Sequence, residues 1–366
     1  DRCWYGVNGA SGLLQSALFS MLRPGESVLM PRNIHRCLIH ACSIGDITPV
    51  LFDLPYDSAR GHFLPPNKFW LKKVLDLISN QGIRVSAAVL VNPTYQGYSS
   101  DISSLVELLH DFDLPVLVDE AHGAHFATIE SDLLPLSALS VGADLVVHSL
   151  HKSSLGICQT AVLWAKGNRI DHDVINKNVG CFQTSSPSSL LLASCETALR
   201  ECSSNKGKKK LLSLLTQADE LFLQLKDSGI PLLPNHDPFR LILHTATYGI
   251  SGFEADDWFI SNGLIAELPE PGCLTFCMGF ASHKKLGIFF EKLWEKLLAE
   301  YPERKPLKPF SPPPIPLVSK PFMNCSTAWR SKSNFMMLKQ ALGKVSADLI
   351  CPYPPGIPML IPGEIL

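Results

Sequence analysis

Six short apolar runs, at 27–30, 48–53, 87–91, 115–119, 144–149 and 159–164, lack the in-out alternation of a half-exposed strand. Runs of that length and composition read as strands covered on both faces, the environment of a parallel sheet between helical layers. Helix-length stretches fall between or before them at 12–22, 67–80 and 102–112, the last opened by Asp101 as a cap. Strands alternating with helices predict an α/β fold with a mainly parallel sheet.

The pattern changes after residue 204. The NKGKKK stretch at 205–210 reads as a solvated loop, and 211–228 as a long helix leading into a second unit. Apolar runs at 239–244 and 274–278 and a helix around 284–298 predict a smaller C-terminal α+β domain. The boundary falls near residue 225, giving a major domain at 1–225 and a small one at 226–366. Eight prolines within 302–321 and five within 352–362 predict extended, irregular segments that wrap a surface.

Composition narrows the function classes. In 366 residues, 46% hydrophobic and 18% charged content marks an ordered chain, long enough for one large domain plus a smaller one. Lys and Arg number 32 against 34 Asp and Glu, with no long block of one sign, so a small molecule fits better than nucleic acid or a bilayer surface. The apolar runs are strand-sized, well short of the roughly 20 residues of a transmembrane helix. Eleven cysteines without a CxxC pair point to buried thiols in a reducing compartment, cytosol or plastid stroma. The chain opens on Asp1 in what reads as mid-domain, so a preceding segment is expected.

The chemistry concentrates in LVDEAHGAH (117–125) and VVHSLHKSSLGICQTA (146–161). Asp119 ends one buried run and Lys152 follows another, so both belong at the carboxyl rim where open α/β sheets bind ligands. A buried carboxylate needs a partner. Pyridoxal phosphate uses both groups: a lysine amine bonds its aldehyde carbon, and a carboxylate keeps its ring nitrogen protonated. NGASG at 8–12 opens the first helix with a composition suited to a phosphate.

Seven segments, NGASG (8–12), PRNIHR (31–36), NPTYQGY (92–98), DEAHGAHF (119–126), HSLHKSSLGICQTA (148–161), QTSSPS (183–188) and PYPPGIPMLIPGE (352–364), together resemble the Orn/Lys/Arg decarboxylase family of fold type I pyridoxal-phosphate enzymes. The resemblance runs in order over nearly the whole chain. It implies an aminotransferase-like major domain and decarboxylation of lysine, arginine or ornithine to an amine of polyamine metabolism. It makes Lys152 the cofactor-bonding lysine and Asp119 the partner of the ring nitrogen. His35 and Ala121 would pack on the two ring faces, with His122 near the ring or the substrate carboxylate. Ser149 and His151 would contact the phosphate or steer protons, and Ala10, Ser11 and Gly12 match the phosphate loop. Thr184 or Ser185 would reach the site across a homodimer interface. A member of plant or cyanobacterial type is the expectation that goes with the resemblance.

Two departures accompany it. Only eight residues precede Gly9, where family members carry a longer segment, and Leu338-Lys339-Gln340-Ala341 stands where related sequences are acidic. A non-catalytic paralogue that keeps the fold is therefore a second reading, and another reaction of the same fold type, such as aldol cleavage or sulfur removal, a third. A metal site built from Asp119, His122, His125, His148 and His151 is a fourth, although it leaves Lys152 and NGASG without a role. For the far end of the substrate, Glu364 in the PGE motif is a candidate.

Overall fold

The computed structural model describes residues 1–280, 285–302, 304–353 and 355–366. Eight strands form the main sheet: β1 (Arg2–Gly6), β2 (Ser27–Pro31), β3 (Thr48–Phe52), β4 (Ala87–Val91), β5 (Val116–Asp119), β6 (Leu145–Ser149), β7 (Ala161–Ala165) and β8 (Val318–Ser319). Their order is β1-β7-β6-β5-β4-β2-β3-β8. The pairs β2/β3, β2/β4, β4/β5 and β5/β6 are parallel, while β7 runs antiparallel to both β6 and β1, and β8 to β3. Only β7 and β8 therefore oppose the common direction, and the sheet is mixed but mostly parallel.

Alternate side chains of each strand enter different cores. Val28, Met30, Leu117, Leu145 and Val147 pack beneath α1 (Gly9–Met21) and α2 (Arg36–Gly45). Leu29, Val116, Val118 and Val146 pack with α3 (Lys68–Asn80) and α4 (Ile102–Asp111) on the opposite face. Both alternating sets must then be apolar, which explains why the strands show no period of two. Asp101 caps α4 by accepting from Ser104 N–H, as its position predicts.

After the short turn α5 (Leu150–Ser153) and β7 come α6 (His172–Phe182), α7 (Ser189–Ser203) and the long α8 (Asn205–Asp227). The 205–210 stretch differs from the expected loop. Ser204 caps it by accepting from Gly207 N–H, and Lys208, Lys209 and Lys210 stay exposed on the opening turns of α8. A helix can carry adjacent lysines where one face is solvated, so charge alone did not signal a break.

The apolar face of α8, with Leu211, Leu215 and Leu225, packs against a four-stranded antiparallel sheet of Leu232–Leu233, Arg240–Leu243, Leu274–Cys277 and Leu268–Pro269. Helices Gly252–Ser261 and Leu286–Glu300 complete that layer through Trp258, Phe259, Phe290 and Trp294. Of the helix expected at 284–298, residue 284 lies outside the described residues. The proline-rich chain then crosses back: Leu307 N–H donates to Ala246, Phe310 N–H to Ser58, and β8 adds to the edge of the main sheet. Among the described residues no helix is long and apolar enough to cross a membrane.

Candidate functional site

The carboxyl ends of β2 to β6 deliver their following residues to one cavity of about 740 Å³. Asn33 and His35 come after β2, Asp53 after β3, Tyr95 and Gln96 after β4, Ala121 and His122 after β5, and His151 and Lys152 after β6. Gly9, Ala10 and Ser11 enter from the start of α1, while Pro352, Pro355, Ile357 and Pro358 form a wall from the C-terminal segment. Six of the seven quoted motifs, all but QTSSPS, thus meet at this cavity, four of them because strand ends of a parallel sheet share one rim. Pro354 lies outside the described residues.

Asp119 is buried, and its Oδ1 accepts from Ala121 N–H. Among the described residues it has no ion-pair partner. Burial pushes its carboxyl up, opposed by the Lys152 charge and the Ala121 N–H. Lys152 is displaced downward, chiefly by burial and partly by the Arg240 cation, against the pull of Asp119 and Glu267.

His122 connects two of these groups. Its Nδ1 faces Arg240 Nη2 at 3.2 Å and its Nε2 faces Lys152 Nζ at 3.0 Å. A guanidinium only donates, so Nδ1 must accept and Nε2 must carry the imidazole proton. In that tautomer the contact is met by a neutral Lys152 amine accepting a hydrogen bond from Nε2–H, the form toward which burial moves this lysine. Burial, reinforced by Lys152 and Arg240, keeps His122 well below the usual histidine range, in agreement with an uncharged ring. Tyr95 covers the pair, with its ring centroid 4.3 Å from that of His122 and 5.7 Å from Lys152 Nζ.

His35 caps α2, its Nδ1 accepting from Cys37 N–H at 3.3 Å. Burial first, then Lys152, Arg36 and His40, lower it to about 4, so it presents a neutral ring to the cavity. Ser149 Oγ and His151 Nδ1 lie 3.2 Å apart. The start of α1 has neither a side-chain cap nor an acidic residue in its first turn; Gly9 N–H donates to the Gln159 carbonyl at 2.9 Å, and the N–H groups that follow it are where an anion would bind. Gly9 makes this turn at φ +73°, a backbone that side-chain-bearing residues rarely adopt.

Not every expected residue reaches the cavity. Gly12 sits one residue deeper in α1, where a Cβ would meet Gln183 Nε2 at 2.9 Å. Thr184 and Ser185 are exposed between α6 and α7, outside the cavity of their own chain. Glu364 is engaged elsewhere, paired with Arg32 and accepting from Ile361 N–H. His125 pairs with Asp237 at 3.0 Å and His148 with Glu120 at 2.7 Å, both buried away from Lys152's cavity. Among the described residues no three His, Cys, Asp or Glu side chains are grouped to hold a metal.

Two site residues escaped the sequence reading. Tyr95 stands within the quoted NPTYQGY, and the signal for it was present. Arg240 has no motif of its own: it reaches His122 across 118 positions from the small sheet, seated because Gly97 lacks a Cβ that would meet its Cγ at 2.7 Å.

The crevice at the carboxyl rim of the α/β sheet thus brings together a lysine amine, a buried carboxylate with no ion-pair partner among the described residues, and the N-terminus of a helix. The chain belongs to the Orn/Lys/Arg decarboxylase family of amino-acid decarboxylases: the family's major-domain model matches residues 1–242 and its C-terminal-domain model residues 311–366. An arginine decarboxylase of Halalkalibacterium halodurans is 30% identical over 384 aligned residues, covering 100% of this chain and 76% of the relative. The Francisella novicida lysine decarboxylase superposes with a TM-score of 0.80 at 17% identity, over 100% of this chain and 64% of that one. The chain thus spans somewhat under two thirds of that structure. An aromatic aminotransferase from Pyrococcus horikoshii matches at TM-score 0.58 and 16% identity, over 81% of this chain and 79% of that one, and shares the aminotransferase-like fold.

Proposed function

We propose that this protein decarboxylates a basic amino acid, lysine, arginine or ornithine, to the corresponding amine with pyridoxal phosphate as cofactor. The observation that carries the reading is Asp119: a buried carboxylate with no ion-pair partner among the described residues, lining the same cavity as the Lys152 amine. Such a carboxylate is costly unless a protonated nitrogen meets it, and the pyridine nitrogen of the cofactor fits that need. The open N-terminus of α1 fits the phosphate, and 740 Å³ lies within the range of small-molecule cavities.

Ala10, Ser11 and Gly12 are assigned to the phosphate with Ser149 and His151 beside them, and His35 and Ala121 to the ring faces. Bound there, pyridoxal phosphate supplies an electron sink for the pair left behind when the substrate loses CO2. Asp119 holds the proton on the ring nitrogen. His122 keeps the Lys152 amine uncharged and therefore nucleophilic, with Arg240 fixing the imidazole tautomer. His122 and His151 stand where a proton can be held near the reacting carbon, and the proline wall excludes water.

Thr184 and Ser185 are assigned to the cavity of a second copy in a homodimer. Exposed Leu155, Ile157 and Leu190 near that segment support an apolar contact there. A division near residue 225 into a cofactor-binding and a small domain, a role in polyamine synthesis, and a reducing compartment are parts of the same proposal. The test is a visible absorbance band on adding pyridoxal phosphate, followed by borohydride reduction and peptide mapping. The label should fall on Lys152; a label elsewhere refutes the assignment, and binding without CO2 release favours the non-catalytic reading.

A further inference from the structure

The cavity extends beyond the residues assigned to the cofactor. Its other lining includes Asn33, Asp53, His62, Gln96 and Glu270, drawn from the ends of β2 and β3, the ribbon 56–63, the loop after β4 and the small sheet. Glu270 is oriented from two sides. Its Oε2 lies 3.1 Å from His62 Nδ1 and its Oε1 accepts from Gln96 Nε2 at 2.8 Å.

A carboxylate can only accept, so His62 Nδ1 donates to Glu270, and in a neutral imidazole the other nitrogen, Nε2, offers a lone pair. His62 is 1% exposed, and its Nε2 has no hydrogen-bond partner among the described residues. Asp53 Oδ1 and Asn33 Oδ1 are likewise buried without a donor. Four polar residues, Asn33, Asp53, His62 and Glu270, therefore line one cavity, three of them with a buried polar atom that no donor meets among the described residues. Buried polar atoms are almost always paired, so this cluster calls for a ligand rich in N–H groups.

The nearby cations have ion-pair partners of their own, although Arg32 Nε is buried without a hydrogen-bond acceptor among the described residues. Arg32 pairs with Glu364, and Arg60 with Asp57 at 3.0 Å while donating to the Tyr98 hydroxyl. Asp53 has no ion-pair partner among the described residues. Burial pushes its carboxyl up, opposed by the Leu54 N–H and Arg32, so an incoming cation would favour its ionised form.

We propose that Asp53, His62 and Glu270, with Asn33, form the subsite that takes the cationic end of the substrate side chain. This rests on the decarboxylase reading for what occupies the rest of the cavity, while the chemistry of the subsite is argued from its own acceptors. Shape does not separate an ammonium from a guanidinium here, but both satisfy the same acceptors through several N–H groups.

The experiment is calorimetric titration of the pyridoxal-phosphate-loaded protein with cadaverine, agmatine and uncharged-ended hexylamine, on wild type, Asp53→Asn and Glu270→Gln. Wild type should bind one of the dications at least tenfold more tightly than hexylamine, and each variant should lose most of that preference. Cadaverine against agmatine separates ammonium from guanidinium recognition. Retained cofactor absorbance checks folding, and Glu270→Gln keeps the test alive if Asp53→Asn does not fold. Equal affinities across the three proteins, or no dication preference in wild type, overturn the subsite. If the preference is lost in the variants but wild type releases no CO2 from any basic amino acid, the subsite stands and the decarboxylase reading falls.

Discussion

Replacing Arg240 by methionine should change the protonation of Lys152, a side chain it does not touch. Methionine keeps the stem that packs against Gly97 but removes the donor to His122 Nδ1. The imidazole proton is then free to move to Nδ1, and Nε2 can accept from a lysine ammonium. A hydrogen bond to a charged group contributes about 1.5–3 kcal/mol, and one pKa unit corresponds to about 1.4 kcal/mol, so the Lys152 pKa should rise by roughly one to two units. The sign follows from the charges: burial is the first cause of the depressed Lys152 pKa and the Arg240 cation adds to it, so removing that cation returns the amine toward its ordinary value. Only the neutral amine attacks an aldehyde. The rate of pyridoxal phosphate capture by the apo-protein, measured against pH, should shift its rising limb upward by about that amount. Arg240→Lys, which keeps a donor and a charge, should restore part of the shift. An unmoved limb in Arg240→Met would refute the tautomer argument, even if turnover fell.

Other outcomes follow from single contacts. Asp119→Asn should retain bound cofactor yet lower turnover by at least about a hundredfold, the scale of losing one preorganised electrostatic partner, as a steady-state assay would read. Gly9→Val should cost about 1–2 kcal/mol of backbone strain at its left-handed position and weaken pyridoxal phosphate binding, measured by equilibrium dialysis. Glu120→Leu should lower stability by about 3–5 kcal/mol in urea unfolding. It strips His148, Ser137 and the Ala138 N–H of one buried acceptor, and a stability change under 1 kcal/mol would contradict that role.

How much of this was legible in the sequence depended on whether a signal was local. The buried strands carried theirs in runs of Val, Leu and Ala, and Asp119 and Lys152 sat at run ends, so the crevice and its two principal groups could be read directly. β1 and β8 could not: each is short and is held by a partner far along the chain, Arg2 opposite Ala165 and Val318 opposite Phe52. The helical state of 205–210 was hidden by its lysines, because what fixes it is the Ser204 cap and the packing of α8 that follows. Arg240 was invisible for a similar reason. Its role exists only once the small sheet is folded against the loop holding Gly97 and His122. The Asp53, His62 and Glu270 cluster is assembled from three separated segments, whereas Glu364, conspicuous in its motif, turned out to be occupied by Arg32.

The most direct test of the central claim is release of labelled CO2 from carboxyl-labelled arginine, lysine and ornithine by the pyridoxal-phosphate-loaded protein, beside Lys152→Ala. The account predicts release from one of the three and none from the variant. Release that persists without Lys152, or its absence from all three amino acids although the cofactor is bound, would contradict it.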